Sequence, residues 1–501
     1  MGGTQPVRAV IPGEGTTVTF RERDEDGLMH EVPVTAREIE HLEGSARAED
    51  LVRFRTIAAE VAPLMHGHTM WHVNSTDAGG GVAELLHQVL GYLIDGGIGC
   101  RWAVVEGDAP FFHITKRIHN RLHGSPGDGG DLGPAERDAY HDVLRREVEA
   151  LSRFTRSGDV AVLHDPQTAG LVAPLRAAGL TVVWTCHVGV DEPNELARSA
   201  WEFLLPDVKP ADAYVFSRHA YRWAGLQEAK TRIIPPCIDP TSAKNAPIAP
   251  PDVRGILELA GIFAGFDPCD EVVVELPWIG NVGVDRRAEV IEDAPAPADQ
   301  PLVVQISRWD RLKDHEGVLR GFADHVPLTL DAHLLLAGPA PASVSDDPEG
   351  VEVFQEVVEA WKGTPPDRRE RIHLLNLPVE DRTENALIVN ALQREADVVV
   401  QKSLAEGFGL TVAEAMWKAA PLVGSRVGGI RDQIRDGRSG LLVEPNDLEG
   451  LGNAIASLIA DSAFARAMGH AARDRIRERY LPPHFLGGHL ALVGSILAMK
   501  G

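Results

Sequence analysis

The sequence predicts an α/β protein of two successive domains, each a parallel sheet covered by helices on both faces. Three observations carry that prediction. At 501 residues the chain exceeds what one hydrophobic core ordinarily organises, so two domains are the natural division. From about residue 70, short continuous apolar runs alternate with amphipathic stretches, the pattern of strands buried on both faces and separated by helices. A second series of the same kind begins near residue 301. Both have the rhythm of Rossmann-like domains.

In chain order, residues 1–45, with the alternating TTVTFRERDEDG and MHEVPV, predict a small β-rich appendage. An N-terminal Rossmann-like domain follows over 46–266. Its strands are expected at TMWHVN (69–74), CRWAVVEG (100–107), DVAVLHD (159–165), TVVWTCHVG (181–189) and DAYVFSR (212–218). Helices are expected between them, at GVAELLHQVLGYLIDGG and ERDAYHDVLRREVEALSRF. Residues 267–300, ending in a Pro/Ala/Asp-rich tail, break the rhythm and read as a linker or surface insertion. The C-terminal Rossmann-like domain, 301–480, takes strands at PLVVQISRW, HLLLAGPA, RIHLLNLP, ADVVVQKS and PLVGSRVGG. Residues 481–501 form a C-terminal helix able to cross back to the N-terminal domain.

The net charge of −24 argues against nucleic acid as the main partner and against docking on anionic lipid. No apolar run approaches the ~20 residues of a membrane span. The start, MGGTQPVRAVIPGEG, lacks the basic and apolar regions of a signal peptide. Cys100, Cys186, Cys237 and Cys269 stand far apart and read as reduced, mostly buried thiols of a cytoplasmic protein, not as a disulfide frame or zinc site.

Three stretches carry chemistry. In HVNSTDAGGGVAELLH (72–87) a strand ends, Gly79, Gly80 and Gly81 follow, and a helix begins at about Val82. Such glycines admit close backbone approach, and the helix start offers N–H groups to an oxyanion; a plain tight turn is the simpler alternative. The run is neither G-x-G-x-x-G nor G-x-x-x-x-G-K-[ST]. In SRWDRLKDHEGVL (307–319), Arg308 and Lys313 at a strand's carboxyl end suit a diphosphate, unless the loop merely pairs them with Asp310 and Asp314. In SLAEGFGLTVAEAMW, Glu406 and Glu414 flank a helix start behind a Gly407–Gly409 turn. Either carboxylate alone is an ordinary helix-start charge. Together, with backbone N–H groups between them, they suit hydroxyls on either side of a phosphate, as in a nucleotide sugar.

The E-x(7)-E of EGFGLTVAEAMW, the R-x(4)-K of SRWDRLK and the glycine loop together resemble the retaining GT-B glycosyltransferases of the family-4 type, through nearly the whole chain from about residue 60. Within that family, VNSTDAGGGVAELLH, RWAVVEGDAPFFHITKRIHNRLHG, IIPPCIDPTSAKN, NALQREADVVVQKSLAEGFGLTVAEAMWK and VGGIRDQIRDGRSGLLV are similar to trehalose glycosyltransferring synthases. The amino-terminal appendage, the 267–300 segment and the wording of WTCHVGVD depart from their pattern.

The resemblance implies a GT-B architecture whose two domains face a central cleft. It implies that Arg308 and Lys313 neutralise the donor diphosphate, that Glu406 binds hydroxyls of the transferred glucose, and that Glu414 takes the ribose hydroxyls. The backbone at Phe408, Gly409, Leu410 and Thr411 would contact sugar and phosphate, with Gly80 and Gly81 across the cleft. His187 matches the N-domain histidine placed near the sugar, and His164-Asp165 the pair reaching acceptor hydroxyls. Asn74 and Glu106, also at carboxyl ends of strands, are further acceptor-site candidates. The catalytic set is thus Arg308, Lys313, Glu406, His187 and Asp165. The implied reaction moves glucose from a nucleoside diphosphate glucose, a substrate and not a cofactor, to free glucose, giving α,α-trehalose with retention and without a metal. A homodimer is the expected assembly. A retaining trehalose phosphorylase, a family-4 transferase with another acceptor, and a non-catalytic nucleotide-sugar or disaccharide sensor are the competing readings. The base of the donor, uridine, adenosine or guanosine, stays open.

Overall fold

The computed structural model describes residues 29–77, 80–263, 272–276, 279–341 and 348–500. Gly79 and Cys269, singled out above, lie outside the described residues, as does most of the amino-terminal stretch. Seven strands build the first sheet: β1 (Met29–Val32), β2 (Met70–Asn74), β3 (Cys100–Val105), β4 (Val160–His164), β5 (Thr181–Cys186), β6 (Ala213–Phe216) and β7 (Thr231–Ile233). Their order is β1-β3-β2-β4-β5-β6-β7, parallel except for β1, which pairs antiparallel with β3. The MHEV segment of the expected appendage is therefore an edge strand of this sheet.

The break in rhythm before residue 300 holds an antiparallel hairpin, β8 (Val273–Leu276) with β9 (Gly280–Gly283), and then β10 (Glu289–Ile291). The second sheet comprises β10, β11 (Leu302–Ile306), β12 (His333–Pro339), β13 (Ile372–Leu377), β14 (Val398–Gln401), β15 (Leu422–Ser425) and β16 (Leu441–Val443). Its order is β10-β13-β12-β11-β14-β15-β16, parallel apart from the β10 edge. Each expected strand is present but one to five residues shorter. The predicted runs extend past the ladder into the polar turns at the carboxyl ends of the strands.

Full burial of the central strands explains their unbroken apolar sequence: β2, β4, β5, β11 and β14 have no exposed residue. The outer faces have separate cores, one around Trp71, Trp184 and Phe216 and one around Trp309, Phe322 and Leu336. The inner faces share a single core that runs from Leu86 and Val183 through Ile234 to Leu302, Val412 and Leu490. The helix Pro482–Lys500 closes it. It packs along Ala48–Val61, and the Lys500 ammonium reaches Thr181 (3.0 Å) and Asp212 (3.1 Å) of the first domain. The helical segment Ser462–Lys500 is long and apolar enough to cross a membrane, which the sequence reading missed; most of its apolar window is buried inside the protein, as a core helix would be.

Candidate active site

The carboxyl ends of both parallel sheets point at the same cleft, where the crevice of an open α/β sheet takes its ligands. On the C-terminal side, buried Gln305 of β11 ties two loops together. Its amide donates to the Lys313 carbonyl (2.9 Å) and its oxygen accepts from the Lys402 N–H (3.0 Å). The Leu404 N–H adds a bond to the Leu312 carbonyl (2.7 Å). This stitching sets Lys313 against Glu406: the ammonium meets carboxylate Oε2 at 2.5 Å, and the Ser403 hydroxyl donates to the same oxygen (3.1 Å). Arg308 is half exposed and pairs with Asp310 at 3.1 Å. Local pairing with Asp310 thus holds for Arg308, whereas Lys313 reaches past Asp314, which takes Lys402 instead, to Glu406.

The helix Leu410–Trp417 starts at Gly409, whose φ of 86° is left-handed and suits a residue without a side chain. Gln433 fixes the turn from below by donating to the Phe408 (2.6 Å) and Gly409 (3.2 Å) carbonyls, and Gln393 donates to the Thr411 carbonyl (3.4 Å). Glu414, on the second turn, is only 3% exposed. Burial pushes its carboxyl above the usual range, and Lys244, at 3.7 Å, offsets part of that. Lys244 also pairs with Glu84 on the helix Gly81–Asp95, so one lysine from the loop after β7 touches both Glu84 of the first domain and Glu414 of the second.

On the N-terminal side, Asp165 follows β4 with a φ of 64°, a strained conformation for a non-glycine residue. Its Oδ1 accepts the backbone N–H of His187 (2.8 Å), so the two expected catalytic residues sit together. Asn74 is buried and used at both ends, accepting from the Trp102 indole (2.7 Å) and donating to the Thr76 carbonyl (2.6 Å). Glu106 pairs with His30 of β1 (3.0 Å).

The two sides meet at the glycine turns. A Cβ on Gly407 would lie 3.1 Å from the His187 carbonyl, so a side chain there would push the donor loop back by a few tenths of an ångström. Gly81 faces Leu410, with 3.5 Å between the leucine side chain and a Cβ placed on the glycine. Buried Tyr221 donates its hydroxyl to the Glu406 (2.8 Å) and Gly407 (3.1 Å) carbonyls. Arg218 bridges Asp191 (2.5 Å) and Asp432 (2.8 Å), and Asp191 accepts the Gly428 N–H (3.0 Å). Tyr221→Phe is expected to lower turnover by about tenfold, one hydrogen bond's worth, with unchanged circular dichroism. A loss below twofold would mean that the loop is held without it.

Sequence reasoning missed several of these groups. Lys244 and Tyr221 act across more than 150 positions, and no local spacing announces them. His123 and His119, from the helix Ala109–Leu122 and its cap, stand across from the donor loops. Burial holds both imidazoles below their ordinary range; His123 also feels Glu406 and Lys313, and His119 feels Arg308. Lys402, buried against Asp314, is lowered to about 8 by desolvation. Among the described residues, no three His, Cys, Asp or Glu side chains are arranged to hold a metal ion.

Comparison with known proteins places the chain in a family. Residues 72–223 match the family described as trehalose synthase, N-terminal domain, and residues 286–475 match glycosyl transferases group 1. A trehalose synthase from Rubrobacter xylanophilus is 33% identical over 88% of this chain and 93% of its own length. One from Pyrococcus horikoshii is 32% identical over 87% and 92%. Among solved structures, an α,α-trehalose-phosphate synthase (UDP-forming) from Burkholderia xenovorans superposes with a TM-score of 0.63 at 15% identity, over 87% of this chain and all of that one, which shows the shared GT-B fold. The chain is a glycosyltransferase and belongs to the trehalose synthase family of group 1 glycosyltransferases.

Proposed function

We propose that the enzyme moves glucose from a nucleoside diphosphate glucose to free glucose, forming α,α-trehalose with retention at the anomeric carbon. The observation that carries this reading is the Lys313–Glu406 pair held against the His187 strand end. An ammonium has three N–H groups, so Lys313 can keep Glu406 and still donate to a diphosphate. As the bond from the anomeric carbon to phosphate oxygen breaks, charge collects on the leaving diphosphate, and Arg308 and Lys313 stabilise it there. The departing oxygen takes the proton of the acceptor's anomeric hydroxyl on the same face, and the new glycosidic bond forms from that side. Glu406 uses Oε2 on Lys313 and Ser403; Oε1 is assigned to hydroxyls of the transferred glucose. Glu414 is assigned the ribose hydroxyls, and the backbone of 408–411 the phosphate. Asp165 and His187 are assigned the sugars from the opposite wall. The cytoplasm is the compartment that the buried, unpaired thiols of Cys100, Cys186 and Cys237 suit.

Incubation with UDP-, ADP- or GDP-glucose, with and without glucose, tests the reading. Acceptor-dependent release of nucleoside diphosphate together with a non-reducing disaccharide is expected. Glucose 1-phosphate made from trehalose and phosphate would replace it with a phosphorylase, and tight binding without turnover with a sensor. Because two side-chain cations serve the leaving group, EDTA is expected to leave turnover unchanged. Loss on chelation restored by Mg²⁺ would remove that part of the mechanism.

A further inference from the structure

Three histidines climb one face of the N-terminal sheet toward the cleft. His72 on β2 lies opposite Val162 of β4; two residues on, His164 lies opposite Thr185 of β5; two residues further comes His187. Each step moves one strand over and two residues toward the carboxyl end, which keeps the side chains on one face. The rings stack at 5.4 and 5.5 Å and join edge to edge: His72 Nδ1 to His164 Nε2 at 3.1 Å, His164 Nδ1 to His187 Nε2 at 3.2 Å. His72 and His164 are each 1% exposed.

The inner end of the column fixes its polarity. Among the described residues, His72 Nε2 is buried without a hydrogen-bond partner, and His489, which the C-terminal helix brings close, has neither ring nitrogen paired. A neutral imidazole has one donor and one acceptor nitrogen. A proton on His72 Nε2 would strand a buried N–H, the rarer and costlier orphan; a proton on Nδ1 strands only a lone pair. From there the order propagates. His72 Nδ1–H donates to His164 Nε2, and His164 Nδ1–H donates to His187 Nε2. Burial holds all three imidazoles below their ordinary range, which suits a neutral chain.

We propose that His72 and His164 are positioning residues that lock His187 in the Nδ1–H tautomer, so that His187 offers the sugar a fixed hydrogen-bond donor and not a base. This rests on the reading above that His187 faces the sugar. A free histidine side chain favours the opposite, Nε2–H, tautomer, so the column holds His187 in the form it would otherwise populate less. The donor suits the lone pairs of a hexose hydroxyl beside the transfer site, and it leaves proton removal from the acceptor to the departing phosphate.

Long-range ¹H–¹⁵N correlation spectra of the full chain labelled on histidine nitrogen, with assignments from single His→Asn variants, read the tautomers directly. Nδ1–H is expected at His72, His164 and His187 in the ligand-free protein. His187 carrying its proton on Nε2 would overturn the proposal. His72→Leu removes the inner donor and is expected to shift His187 toward Nε2–H and to lower kcat by about tenfold. His72→Asn, which keeps a donor at the Nδ1 position, is expected to restore both. Unchanged tautomer and turnover in His72→Leu would also overturn it, and if that variant does not fold, the wild-type spectrum decides. Tautomers as assigned in a protein that transfers no glucose would refute the proposed reaction and leave the column standing.

Discussion

Lys313→Ala is expected to lower kcat by about 10²–10³-fold, the effect of removing one preorganised group from developing transition-state charge, while the fold survives. Its loop is held by bonds to the Lys313 and Leu312 carbonyls, from the Gln305 side-chain amide and the Leu404 N–H, that the substitution leaves in place. The change also strips Glu406 of its cation, so the single variant does not by itself separate two roles. Glu406→Gln and the double variant do so. If Lys313 served only to orient Glu406, the double variant would be no worse than either single one. A cation acting directly on the diphosphate makes it worse than Glu406→Gln by most of the Lys313 effect, a coupling that a double-mutant cycle reads. Turnover within threefold of wild type in Lys313→Ala would remove the lysine from the mechanism.

The parts of this site legible in the sequence are those written as local pattern. Strand ends announce themselves where an apolar run gives way to polar residues, as at VVQISR and VVWTCH, and so the cleft-facing positions of Arg308, Asp165 and His187 followed from chain order. The Gly407–Gly409 turn followed from the helix behind it. What sequence did not give is pairing across space. Their spacing assigns Lys313 and Glu406 to separate parts of one donor, and the fold sets them on each other. Asn74 and Glu106 sit at the correct strand ends, but their side chains are engaged by Trp102, Thr76 and His30 from other segments. The His72–His164–His187 column needs the strand order and register, because three histidines at 72, 164 and 187 share no spacing. The edge strand β10 escaped the sequence for a related reason: a short strand with one open edge has no continuous apolar run to betray it, whereas the alternation of MHEVPV announced β structure at β1 but not the sheet that it joins.

Glu147→Gln is expected to stabilise the protein, and to do so more at pH 8 than at pH 5. The helix Pro134–Ser152 buries Tyr140, Val143, Leu144, Ala150 and Leu151, and Glu147 falls on that same face, fully buried. Neither of its carboxylate oxygens makes a hydrogen bond, and the nearby Glu106 backbone N–H offsets only part of the cost. Desolvation, reinforced by the Glu106 carboxylate, pushes the group up to about 8. In the unfolded chain it titrates near 4.5. Between those two values the folded state holds a proton that the unfolded state has lost, so stability falls as pH rises, by roughly 1.4 kcal/mol per unit at most. Glutamine keeps the shape and the neutral hydrogen-bonding amide but cannot ionise. The variant's advantage is therefore small at pH 5, grows through pH 8, and levels beyond it, which urea midpoints at several pH values measure. An advantage that shrinks with rising pH would mean that the ionised carboxylate finds a partner. Turnover is expected to hold within about twofold, since neither Glu147 nor its neighbour Glu106 carries a role in the proposed transfer.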